Sequence, residues 1–171
     1  ACAAVIPRGA APTRPYALIG DRVMEVYRYL HDRGWAHSVE TWNAQGRLVG
    51  GLYGVSVGGF FSGESMFHDP EYGRDASKTA LMRLVCELGP GLLDVQWSTP
   101  HLARLGVIDV DRAEYLALLS DALERPSPQW TSLDDPAWNG GHLLERLRKM
   151  INLRSRGFET CSMHRGRGSE V

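Results

Sequence analysis

Three polar side chains stand in stretches otherwise built from apolar residues: Glu64 in FFSGESMF, and Asp94 and Gln96 in LLDVQW. A buried carboxylate costs free energy unless hydrogen-bond donors compensate it, so each position asks for a reason. Residues i and i+2 of a strand share a face, which turns Asp94 and Gln96 to one side and Val95 to the other. There Gln96 can join a network with Asp94 or accept from a substrate amine. The plainer alternative has Asp94 pinning a neighbouring loop through backbone amides, and the residues leave both open. Glu64 follows Gly63, which leaves room for close approach; it is either a strand-end glutamate paired with an arginine or part of a site. Phe60, Phe61, Met66 and Phe67 beside it read as core or as a pocket for a bulky apolar side chain.

Other chemistries find less support. ASKTAL (76–81) lacks the GxxxxG spacing of a phosphate loop. Lys78 and Thr79 do fall in the first turn of a helix, where free amides and a lysine can hold a phosphate; a solvated helix start is the alternative. The histidines show no HExxH or comparable ligand spacing, so no metal is expected. No GxSxG elbow exists, and order alone assigns no Ser-His-Asp set. Cys2, Cys86 and Cys161 are far apart and odd in number, which makes neither a disulfide framework nor a metal knuckle. A reducing compartment is the expectation.

The elements that must hold these residues follow from spacing. Pro7, Pro12 and Pro15, with Gly9, make residues 1–20 an extended arm. A helix is expected over Asp21–Asp32, with Val23, Val26, Tyr27 and Leu30 on one face and Gly34 at its end. WAHSVETW alternates as a strand and NAQG (43–46) reads as a hairpin turn. The glycine-punctuated run after it makes two or three strands, turning at Gly58-Gly59. A helix over 76–88, capped by Asp75 or Ser77 and apolar at Leu81, Leu84, Val85 and Leu88, stops at Gly89-Pro90-Gly91. LLDVQW is a short central strand. Pro100 opens a helical stretch that ends at Gly106, and Asp111 with Glu114 in capping-box spacing starts the next helix. PSPQWTSLDDPAW reads as a linker, HLLERLRKMINLRSRG as a basic amphipathic segment, and the tail beyond Gly157 as disordered. This order of elements suits an α+β domain of at most three layers.

At 171 residues the chain holds one core and little more. Apolar types at 43% and charged types at 23% describe an ordinary globule rather than a fibrous or disordered chain. A net charge of -1 advertises no overall field for nucleic acid, but its distribution is uneven. Residues 1–140 carry 12 basic and 17 acidic side chains, whereas residues 141–171 carry seven and three. No apolar run is long enough to span a bilayer. The start lacks the order of a secretory signal, which leaves the cytoplasm as the expected location.

The segments HSVETWNAQGRLVGGLYGVSVGGFFSGESMF, ASKTAL, LLDVQWSTPHLARLGV and RAEYLALL, in this order, resemble the leucyl/phenylalanyl-tRNA–protein transferases. The resemblance runs over Asp21–Leu123 and weakly from Ala1. It implies an acyl-CoA N-acyltransferase-like (GNAT-like) domain over 21–125, a mixed sheet flanked by helices, with 126–171 as linker and basic, partly disordered tail. It further implies an enzyme that moves leucine, or less readily phenylalanine, from leucyl-tRNA or phenylalanyl-tRNA. The acceptor is the N-terminal amine of proteins beginning with Arg or Lys, which are thereby marked for degradation under the bacterial N-end rule.

Carried over by position, Asp94 and Gln96 match the pair at the family's reaction centre, and Glu64 the acidic residue beside it. Leu52, Phe61, Met66, Leu84 and Leu93 match the pocket for an apolar side chain unbranched at Cβ. Glu40, Lys78 and Thr99 are candidate peptide or tRNA contacts, with Glu40 joining Glu64 and Asp94 in an acidic patch for a cationic N-terminal residue. No cofactor, no metal, no membrane and a monomer are expected. Family members carry an N-terminal domain ahead of the point where this chain begins. Loop 68–75 is longer than usual here, and residues 132–171 match nothing in the family. Two alternatives stand beside this reading: a truncated, non-catalytic peptide-binding domain of the same family, and an acyl-CoA N-acyltransferase. The second needs a glycine-rich, pyrophosphate-cradling turn at a helix start, whereas Gly89-Pro90-Gly91 follows a helix.

Overall fold

Helix α1 (Asp21–Asp32) ends where Gly34 takes a φ of 76° and returns its N–H to the His31 carbonyl, and the chain turns directly into a sheet. The computed structural model describes residues 21–130 and 160–163, so the arm read at 1–20 and the basic segment read at 142–157 lie outside the described residues. Strands β1 (Ala36–Trp42), β2 (Leu48–Val57) and β3 (Phe60–His68) form an antiparallel meander. Asn43 tightens the first turn, its side-chain oxygen accepting from the amides of Gln45 and Arg47. There follow α2 (Ala76–Leu88), β4 (Leu92–Asp94), the single turn α3 (Pro100–Ala103), β5 (Val107–Val110), α4 (Arg112–Glu124) and β6 (Thr160–Met163).

The six strands lie in the order β1-β2-β3-β4-β6-β5, with β3, β4, β6 and β5 parallel to one another. Alternation along the strands sends neighbours to opposite faces. Leu52, Phe61 and Leu93 pack under α2 against Ala80, Leu84, Val85 and Leu88. Tyr53, next to Leu52, meets Met24 and Tyr27 of α1, and Leu92, next to Leu93, meets Tyr115 and Ala122 of α4. The molecule is therefore α2, sheet, then α1 with α4: an α+β arrangement with a mixed sheet, compatible with the expected GNAT-like fold. Gly50 permits the closest approach between layers, because a Cβ there would come 2.5 Å from that of Ala76 at the start of α2. The largest fully buried side chains are Phe61, Leu84 and Leu93, each worth about 1.5–3 kcal/mol of burial.

Three expectations need correction. Val26 is 55% exposed, because α1 packs beside β1 and β2 through Met24 and Tyr27, whose ring meets Tyr53 edge-on at 5.0 Å. Asp75 does stand before α2, but in a left-handed conformation (φ 62°), so its side chain makes no cap bond and pairs with Lys78 instead. Thr160–Met163, within the tail expected to be disordered, form a strand: β6 lies between β4 and β5, pairing Leu93 with Thr160 and Ile108 with Cys161. Four residues, TCSM, carry too little pattern to announce a strand whose partners are distant in the chain. Asp111 caps α4 as expected, accepting from the Glu114 amide at 2.9 Å.

Candidate active site

The sheet opens between β3 and β4. Their pairing covers only Phe60–Ser62 against Leu92–Asp94, after which β3 runs on to His68 while the chain leaves β4. At this divergence β3 is bulged: Tyr53 faces Ser65 and Gly54 faces Gly63, leaving Glu64 as the extra residue. A bulge re-aims a side chain and ends regular pairing, both of which happen here. Gly63 keeps the two backbones close, since a Cβ on it would come 3.3 Å from the Asp94 carbonyl oxygen. Glu64 accepts from Ser62 Oγ at 3.3 Å.

The opening holds a cavity of about 260 Å³. Leu52, Met66, Leu84 and Leu93 of the expected pocket line it, together with Glu64 and Thr99. Phe61 does not, being fully buried where β3 and β4 are still paired. The structure adds Leu81, Val95, Trp97 and Leu102 to the wall. Leu81 was legible, one turn before Leu84 on the apolar stripe of α2. Trp97 and Leu102 come from the segment after β4, whose course no periodicity foretells. The chemistry on offer is an apolar recess with one carboxylate at its edge, suited to an apolar side chain beside a cationic group.

Asp94 lies elsewhere. It shares the sheet face of Leu92, opposite the cavity wall of Leu93 and Val95, and is 3% exposed. Its Oδ2 accepts from Tyr115 Oη at 2.8 Å and its Oδ1 from the Gln96 amide at 2.7 Å. The expectation that Asp94 and Gln96 point together from one strand is corrected, because β4 ends at Asp94 and Gln96 has a φ of 63°. Trp97 N–H closes on Val95 O at 2.7 Å, making Gln96 the centre of a three-residue turn with positive φ. Such backbone costs about 1–3 kcal/mol and persists only where its surroundings hold it. The hydrogen bond from Gln96 N–H to Asp94 is that restraint.

The acidic patch of three carboxylates is likewise corrected. Glu40 pairs in register with Gly51, so it faces away from the cavity that Leu52 lines. Its Oε2 accepts from Trp42 Nε1 at 3.0 Å, Oε1 has no partner, and burial pushes its carboxyl above the ordinary range. Lys78 sits at the exposed start of α2, ion-paired with Asp75, whose carboxyl it holds below the ordinary range. Thr99 does reach the cavity, but its hydroxyl also caps α3, accepting from Leu102 N–H at 3.1 Å. Among the described residues no group of three or more His, Cys, Asp and Glu could hold a metal ion, and no helix is long and apolar enough to cross a membrane.

Residues 1–120 match the family model described as leucyl/phenylalanyl-tRNA protein transferase. Among curated proteins named leucyl/phenylalanyl-tRNA–protein transferase, that of Rhodopseudomonas palustris strain TIE-1 is 52% identical over 126 residues, 71% of this chain and 54% of the relative. That of Caulobacter vibrioides strain NA1000 is 51% identical over 122 residues, 68% and 54%. That of Rubrobacter xylanophilus is 46% identical over 117 residues, 67% and 60%. The chain spans about half the length of the curated relatives it matches.

Proposed function

The chain belongs to the leucyl/phenylalanyl-tRNA–protein transferase family, and from that premise we propose that it transfers leucine or phenylalanine from aminoacyl-tRNA to protein N-termini beginning with Arg or Lys. Proteins so marked are directed to degradation in the cytoplasm. The observation that carries this reading is the apolar cavity in the opening of the sheet, with Glu64 at its bulged edge.

The aminoacyl group arrives as an activated ester, so the protein's task is placement more than activation. Leu52, Met66, Leu84 and Leu93 receive the aminoacyl side chain, and Glu64 receives the positive charge of the acceptor's first residue. The neutral amine nitrogen attacks the ester carbonyl carbon and forms the amide bond. The bond from that carbon to the ribose oxygen breaks, the amine gives up a proton, and the ribose oxygen takes one. Gln96 is not itself a wall of the cavity but lies between two residues that are, Val95 and Trp97; from that position its carboxamide oxygen orients the amine. A carboxamide is too weak a base to hold the proton, so it passes through water or a ribose hydroxyl. Asp94 fixes the backbone that carries Gln96.

Labelled leucyl-tRNA and an Arg-initiated peptide test this directly. Transfer to that peptide, lost in Asp94→Ala, is the expected result. Peptide binding by the wild-type chain without any transfer overturns the reading in favour of a non-catalytic peptide-binding domain.

A further inference from the structure

We propose that Tyr115 is a positioning residue for aminoacyl transfer, acting through Asp94 on the turn at Gln96; its catalytic half rests on the transferase reading above. Tyr115 belongs to α4, on the sheet face away from the cavity, and is 5% exposed. Its ring packs with Leu92, Val110 and Ala122. A phenylalanine would serve that packing equally well, so the hydroxyl needs another purpose, and a buried hydroxyl is found with a partner. The partner is Asp94 Oδ2, 2.8 Å away, itself on a residue almost wholly enclosed.

The geometry transmits orientation in three steps. The Asp111 cap sets the first turn of α4, whose Tyr115 amide bonds back to the Asp111 carbonyl. The anchored ring then holds one oxygen of a planar carboxyl group and so dictates where the other points. That second oxygen accepts from Gln96 N–H, the amide of a residue in an unfavoured backbone conformation. Without the hydroxyl, the terminal torsion of Asp94, intrinsically broad, is released. The turn relaxes, and Val95 and Trp97, two walls of the cavity, shift with it. A side chain outside the cavity thus sets the shape of its rim.

Tyr115→Phe keeps the ring and removes the hydroxyl. Amide hydrogen exchange followed by NMR on the full chain is expected to show about tenfold lower protection at Gln96. Leu92 N–H, bonded to Gly59 O in the same segment, keeps its protection. Unchanged protection at Gln96, or equal loss at Leu92, overturns the clamp. In leucyl transfer the variant is expected to lose about tenfold in kcat with KM for both substrates within about twofold. An unchanged kcat, or a loss confined to KM, overturns the positioning role. A wild-type chain that transfers nothing overturns the function reading and with it the catalytic half, while the exchange data still decide the clamp.

Discussion

At the bulge in β3 the Glu64 carboxylate accepts from Ser62 and lines the cavity, while Asp94, in register with Ser62 on the adjacent strand, has both oxygens engaged on the α4 face of the sheet. Both stood out in the sequence for one reason, an acidic group among apolar neighbours. What that contrast cannot convey is direction. The i, i+2 rule holds only while the strand lasts, and β4 lasts three residues. A positive φ at a glutamine has no sequence signature, so the strand rule gives Gln96 a direction that the turn does not keep. Phe61 and Met66 illustrate the same limit, since both are apolar in β3 and only the point where β4 departs decides which is core and which is wall. On the proposed function, Glu64→Gln keeps the volume and removes the charge. It is expected to lower kcat/KM for an Arg-initiated peptide about tenfold, through the peptide term, with KM for leucyl-tRNA unchanged. Steady-state kinetics with each substrate varied in turn provides the check, and equal peptide kinetics in the two proteins would remove Glu64 from peptide recognition.

The elements were more legible than the residues because each has its own punctuation: Gly34, the Asn43 turn, Gly58-Gly59, Gly89 and the Asp111 cap all end or begin elements where expected. The start of the expected linker was not. Trp130 lies in a stretch read as spacer, yet it stacks on His37 of β1 at 4.2 Å and tilts against Phe61 at 5.7 Å, closing the α2-side core. One exposed-looking aromatic among prolines gives no hint of a dock. His37 faces Trp130 on one side and, edge-on, His31 of α1, and its Nε2–H donates to Gly34 O. Burial is the main force holding its pKa below 6.5, and His31 adds to it, while the bond to Gly34 opposes both. A lowered folded-state value means that the unfolded chain takes the proton more readily. Stability from this site is therefore complete above about pH 6.5 and is lost as pH falls toward the lowered value. In urea unfolding, the wild-type midpoint is expected to fall between pH 7.5 and 5.5, and to fall less in His37→Phe, which keeps the stack. A difference between the two proteins that does not change with pH would separate the stack from any titration.

Across the whole molecule the decisive fact is the order of strands, and it is the least local. The meander β1-β2-β3 pairs neighbours in sequence and was readable from its turns, whereas β6 comes from Thr160–Met163 and separates β4 from β5. β5 thus joins the sheet only through these four residues, and β4 has them as its second neighbour beside β3. Parallel pairing over long separations costs loop entropy before it returns contacts, so its strength rests on completing the whole ladder. Cys161 pairs with Ile108 on one side and with Asp94 on the other, the residue that fixes Gln96. Proline at an interior strand position removes an N–H from the ladder, and leaving its buried acceptor unpaired costs about 1–3 kcal/mol. Cys161→Pro is therefore expected to lower Tm by about 2–12 °C for a chain of this size. The damage should spread toward the cavity, with hydrogen-exchange protection lost at Gln96 as well as along β5. Calorimetry that finds Tm within about 1 °C of the wild type would show that the sheet closes without β6. In that case the enclosure of Asp94 must come from α4 and β3 alone.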